Sequence, residues 1–129
     1  MRMNVNELLI SLSRALNFAE EGVLKNSTNH GMRVAYIAGR IAKTLSMPEE
    51  NLFDLISYSL LHDNGVMNAL LQTPVRSAFR TETNPGHCIE GEKNIAEFPF
   101  LHREKNVILY HHEHYDGSGF FAVSGGLPG

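Results

Sequence analysis

Apolar residues recur at helical spacing along most of the chain. Leu8, Leu9, Leu12 and Leu16 share one face with Ala15, Phe18 and Ala19. This pattern predicts a first amphipathic helix that starts after Asn4 or Asn6 and ends at Glu21-Gly22. The polar stretch Lys25-Asn26-Ser27-Thr28-Asn29 is rich in cap-forming side chains, so a second helix is expected from His30. Val34, Ile37, Ile41 and Leu45 fall on one face of it, and Ala35, Ala38 and Ala42 permit close packing. Ser46-Met47-Pro48-Glu49-Glu50 reads as a stop followed by a start. Pro48 suits a first helical position, and the two glutamates favour the positive end of the helix dipole. The third helix then runs through Leu52, Phe53, Leu55, Ile56, Leu60 and Leu61 to His62-Asp63, where Asn64-Gly65 closes it.

Residues 66–86 carry a weaker pattern. Val66 to Leu71 fits a short helix, and Thr73-Pro74 and Asn84-Pro85-Gly86 are breakers. A helix is expected to restart near His87 and end before Pro99. A last one, from Arg103 to Glu113, would turn Val107, Ile108 and Leu109 to the core. Gly117, Gly119, Gly125, Gly126 and Gly129, with Pro128, then make a loop. No strand, repeat or low-complexity linker emerges, so the expected class is all-α, a single bundle of about five to six helices. Residues 1–24 supply the leading helix and residues 26–129 the rest. Because Leu127-Pro128-Gly129 ends in a loop, further helices are expected on sequence beyond it.

Composition narrows the function. With 129 residues, 43% hydrophobic and 19% charged, the chain suits one globular domain. A net charge of −3 provides no basic field for a nucleic-acid backbone, so an anionic substrate has to be held locally. The single cysteine, Cys88, excludes an internal disulfide and fits a cytoplasmic setting; it reads as a small buried hydrophobe. The amino terminus lacks the apolar core of a signal peptide, and no run approaches the ~18 apolar residues of a membrane span.

The chemistry lies in the histidines. Five of the seven, His30, His62, His87, His111 and His112, accompany carboxylates or open and close the expected helices. The densest run is His111-His112-Glu113-His114-Tyr115-Asp116-Gly117-Ser118-Gly119. A lone histidine is ordinarily solvated, His62-Asp63 alone reads as a helix end, and His102 and His114 read as surface residues. The joint pattern differs. At a helix end His62 and Asp63 can turn to one centre, whereas neighbours in mid-helix diverge by ~100°. Nitrogen and carboxylate-oxygen donors, without sulfur, suit Fe, Mn, Co, Ni or Zn. Paired cations polarise a phosphoryl group and ionise water, so no serine or cysteine nucleophile is needed. These residues point to a metal-dependent phosphohydrolase.

His30, His62-Asp63, His87, His111-His112 with Glu113, and Asp116-Gly117-Ser118-Gly119 resemble the HD-GYP subgroup of the HD-domain metal phosphohydrolases. The resemblance spans about residues 26–129 and keeps the motif order of the family. It implies a helical bundle with a multi-metal centre, often iron or manganese, that hydrolyses cyclic di-GMP. Carried over by position, His30, His62, Asp63, His87, His111 and His112 are metal ligands, with Asp63 bridging. Glu113 and Asp116 then orient ligands and fix the loop. Arg33, one turn after His30, is in a position to reach a phosphate, although a salt bridge to a carboxylate is the simpler reading.

Four departures shape the expectation. Asn26 replaces the glutamate of three-metal members, which argues for two divalent ions. Val66 stands where the family has a lysine, and Gly119-Phe120-Phe121 replaces Gly-Tyr-Pro. The family's last metal-binding aspartate would lie on a helix beyond Gly129. The leading expectation is a phosphodiesterase acting on a cyclic dinucleotide or another small phosphodiester, with neither nucleic acid nor membrane as partner. The alternative is a degenerate HD module that binds or signals without turnover. Apolar surface left by the missing helices would favour a homodimer.

Overall fold

The structure is a computed structural model that describes residues 4–24, 29–66, 85–98, 100–101 and 104–122. Among the described residues the helices are α1 (Val5–Leu24), α2 (His30–Thr44), α3 (Glu49–Leu61) and α4 (Gly86–Ala96). Among the described residues there is no strand, as the all-α expectation requires. The expected short helix from Val66 to Leu71 lies, apart from Val66, outside the described residues. So do Thr73-Pro74, Asn84, His102, Arg103 and the last seven positions, 123–129.

Local chemistry accounts for where each helix begins. Asn4 Oδ1 accepts hydrogen bonds from the N–H groups of Asn6, at 3.1 Å, and Glu7, at 3.4 Å, which caps α1. The helix runs on to Leu24, past the expected end at Gly22. Asn29, in the left-handed region at φ 44°, precedes α2 and donates its N–H to Asn17 Oδ1 at 2.7 Å. Pro48 sits one residue before the first turn of α3 and its carbonyl accepts from Leu52 N at 2.9 Å, with Glu49 and Glu50 following at the positive end.

One face differs from expectation. Ala35, Gly39 and Ala42 are the buried residues of α2, whereas Ile37 and Ile41 are more than half exposed and Leu45 is 73% exposed. The small residues win because α2 packs chiefly on α3, and they let the two backbones approach. A Cβ at Gly31 would already stand 3.0 Å from the Leu60 carbonyl oxygen. Phe18, assigned to the apolar face of α1, is 77% exposed, while Leu9 and Ser13 are the buried residues there. The core joins Leu9, Ala35, Tyr58, Leu60, Leu61, Ile95, Leu101 and Ile108. Tyr58 ties α3 to the distant segment by donating to the carbonyls of Glu104, at 2.9 Å, and Leu101, at 3.3 Å.

The expected last helix, Arg103 to Glu113, is also corrected. Residues 107–112 form consecutive turns instead of an α-helix. Asn106 enters them at φ 64°, and the bonds alternate between Tyr110 N to the Asn106 carbonyl and Glu113 N to the Tyr110 carbonyl. Val107, Ile108 and Leu109 are adjacent rather than spaced for one helical face, and of them Ile108 is fully buried.

Two glycines mark how closely the layers approach. Gly39 lies in mid-helix, and a Cβ there would meet Ile56 at an ordinary 3.6 Å. Gly39→Ala is expected to stabilise the protein by about 0.5–1 kcal/mol, through helix propensity. At Gly91 a Cβ would stand 2.8 Å from Ile108 Cγ2. Gly91→Ala is expected to destabilise by about 1–3 kcal/mol, the usual cost of overpacking. Urea unfolding of the two variants therefore reads opposite signs; shifts of the same sign would contradict this packing.

Candidate metal centre

The centre is built where α3 ends against the start of α4. Asn64 N donates to the Leu61 carbonyl and Val66 N to the Asp63 carbonyl, both at 3.0 Å, so the chain coils into a turn. The Asn64 side chain fastens this turn to α4. Its Nδ2 donates to the carbonyls of Leu61 and Gly91, at 2.8 and 3.2 Å, and its Oδ1 accepts from Asn94 Nδ2 at 2.8 Å. Gly65 lies so close to α4 that a Cβ would collide with the His87 carbonyl. Only glycine permits that approach, which brings Asp63 beside His87.

Asp63 stands between two groups of donors. Its Oδ2 is 3.1 Å from His62 Nε2 and 3.6 Å from His30 Nε2. Its Oδ1 is 3.5 Å from His111 Nε2 and 3.9 Å from His87 Nε2. The donor atoms of His30, His62 and Asp63 all lie within 4.8 Å of one another, as do those of His87, Cys88, His111 and His112. All six residues expected as ligands are thus brought together.

Backbone carbonyls set the direction of two rings. His62 Nδ1 lies 2.8 Å from the Ser59 carbonyl oxygen and His111 Nδ1 2.6 Å from that of Ile108. Each Nδ1–H donates there, so Nε2 is the atom each ring turns to the centre, an arrangement typical of metal-ligating histidine. His87 Nδ1, His111 Nε2 and His112 Nε2 are buried without a hydrogen-bond partner among the described residues. Buried polar nitrogens are ordinarily paired, and the unpaired Nε2 atoms of adjacent His111 and His112 fit a divalent transition metal.

The electrostatics agree with a cluster designed around positive charge. Burial alone would raise Asp63, but His111 and His62 outweigh it and hold the carboxyl far below the usual range. Burial likewise opposes charge on His111, yet Asp63, Cys88 and the Ile108 carbonyl push its imidazole up to about 10. His112 is driven down to about 4, by burial first and then by repulsion from His111 and His87. His30 falls through burial despite Asp63, whereas His62 rises because Asp63 and Ser59 overcome burial. The side chains therefore favour positive charge beside Asp63, where a cation would otherwise stand.

The remaining expected residues lie around this core. Glu113 Oε1 accepts from Phe121 N at 3.0 Å, and Asp116 Oδ1 accepts from Ser118 N at 3.0 Å, so both carboxylates fold the glycine loop. A Cβ at Gly119 would collide with the Glu113 carboxylate. Neither acid belongs to the two donor groups. Arg33 is exposed on α2, and His114 is exposed with Nδ1 2.8 Å from Ser118 Oγ.

Two residues were missed in the sequence. Cys88 is fully buried as expected, but its Sγ lies among the imidazoles, 3.5 Å from His87 Nε2. Its adjacency to His87 was the available signal. Glu92, one helical turn further along α4, accepts from the N–H groups of Asn106 at 2.6 Å, Ile108 at 3.0 Å and Leu109 at 3.1 Å. It caps the first turn of the segment that carries His111 and His112, a role no local pattern announces.

The chain matches the family described as HD domain over residues 11–126. The chain belongs to the HD-domain family. Two curated relatives agree with it. The 3'3'-cGAMP-specific phosphodiesterase 1 of Vibrio cholerae serotype O1 is 27% identical over 122 residues, covering 95% of this chain and 27% of that protein. The cyclic di-GMP phosphodiesterase of Thermotoga maritima is 27% identical over 120 residues, covering 88% of this chain and 33% of that protein. The HD domain here thus spans about a third or less of the length of these relatives. No solved structure matches the chain significantly. No described helix is long and apolar enough to cross a membrane.

Glu92→Gln keeps the shape of the side chain and removes the charge that three N–H groups share. Charge-assisted hydrogen bonds are worth about 1.5–3 kcal/mol, so the variant is expected to lose stability on that scale. Metal affinity is expected to fall by about 10–100-fold, as for other residues that orient ligands. Denaturant unfolding and metal titration check the pair; unchanged values in both would contradict the clamp.

Proposed function

We propose that this HD domain is a metal-dependent phosphodiesterase of the HD-GYP type, acting on a cyclic dinucleotide with cyclic di-GMP foremost. The observation that carries the reading is the position of Asp63, one oxygen facing His62 and His30 and the other facing His111 and His87. His30 and His62 would hold one divalent ion and His87, His111 and His112 a second, with Asp63 shared between them. Iron or manganese fits best, with zinc, nickel or cobalt as other occupants. When bound, such a pair supplies Lewis acidity to a phosphodiester and lowers the pKa of water towards neutrality.

The protein's own groups do the rest. Ser59 and Ile108 carbonyls fix the His62 and His111 rings, so that ligand geometry is set before a substrate arrives. Glu113 and Asp116 hold the loop at 113–121 in shape. Arg33, exposed one turn after His30, is suited to take a phosphate oxygen. The names of the two relatives, both cyclic-dinucleotide phosphodiesterases, support this substrate class.

A second reading rests on Val66. It is 6% exposed and apolar where the subgroup has a lysine, so this position offers no cation to phosphate. On that reading the domain binds a cyclic dinucleotide without turning it over.

Protein purified without chelator is expected to carry about two transition-metal ions per chain, by elemental analysis, and to hydrolyse cyclic di-GMP or 3'3'-cGAMP. The double variant His62→Ala, Asp63→Ala is expected to lose metal and hydrolysis together. Metal-independent binding of cyclic di-GMP with no turnover would favour the second reading. Absence of metal from the wild-type chain would sink the first.

A further inference from the structure

We propose that Cys88 is a thiolate ligand of the ion held by His87, His111 and His112, giving that half of the centre one sulfur and three nitrogen donors. The inference rests on the reading of this cluster as a metal centre and goes beyond it in the donor set. Cys88 is fully buried, and its Sγ lies within 4.8 Å of the donor atom of each of the three imidazoles. The imidazoles independently point to a ligand here. His111 and His112 each keep a buried Nε2 with no hydrogen-bond partner among the described residues, and His87, 1% exposed, turns Nε2 to Sγ. His111 Nδ1 is engaged by the Ile108 carbonyl, so the nitrogen it offers inward is Nε2.

Packing alone does not explain a sulfur here. A small apolar residue filling space would touch carbon, whereas this thiol meets the ring nitrogen of His87 at 3.5 Å. On metal binding the S–H bond breaks, a sulfur–metal bond forms, and the proton leaves to solvent; no oxidant or reductant is involved.

The consequence is an asymmetric centre. His30, His62 and Asp63 provide only nitrogen and oxygen, while the inner half acquires a soft donor. Thiolate favours zinc, cobalt and iron over manganese. The two halves would then differ in metal preference, with the inner one more selective.

Cobalt(II) loading of the full chain tests this directly. The wild type is expected to show an intense thiolate-to-cobalt charge-transfer band in the near ultraviolet. Cys88→Ser and Cys88→Ala are expected to lose that band while circular dichroism stays helical and cobalt remains bound. The zinc-loaded wild type provides a measurement that needs no variant: X-ray absorption should contain a sulfur shell at about 2.3 Å beside nitrogen at about 2.0–2.1 Å. Bound cobalt or zinc with no sulfur signature overturns the Cys88 assignment and leaves the proposed function standing. Failure to bind either metal overturns both.

Discussion

A carboxylate surrounded by imidazoles is the constraint on which the rest of this molecule depends. Asp63 is largely buried, with 19% of its side chain exposed, and four histidine Nε2 atoms stand within 3.9 Å of its oxygens. Burying a charge is costly unless positive groups and hydrogen bonds surround it. The histidines come from the start of α2, the turn after α3, the start of α4 and the turns at 107–112. Close approaches in the fold serve that convergence. Gly65 and Gly91 let the α3 turn lie on α4, and Gly31, Ala35 and Ala42 let α2 lie on α3.

The same arrangement carries an internal cost. Imidazoles crowded this tightly repel one another when charged, which, after burial, holds His112 down to about 4. Cations that bind the folded chain alone would add to its stability by mass action. Site formation and folding are then coupled through the same few contacts.

Much of this was legible in the sequence, for physical reasons. Regular apolar spacing and cap residues located α1, α2 and α3 to within a few positions, because those signals are local. The histidines gathered around Asp63 were legible because their motif order reports a shared centre. Other features depended on contacts distant in the chain. Spacing alone cannot tell that α2 buries Ala35 and Ala42 while Ile37 and Ile41 face outward; that depends on how near α3 comes. The segment at 107–112 reads as helix until Glu92 is seen holding the N–H groups of Asn106, Ile108 and Leu109. Cys88 carries no periodic signature at all, and only the fold brings its sulfur to His111 and His112.

Anomalous X-ray diffraction from metal-loaded crystals of the chain measures the central claim most directly. The account predicts two peaks, one on each side of the Asp63 carboxylate. The first should contact His30 and His62, the second His87, His111 and His112. A single ion that Asp63 does not touch, or peaks located only at surface residues, would contradict it.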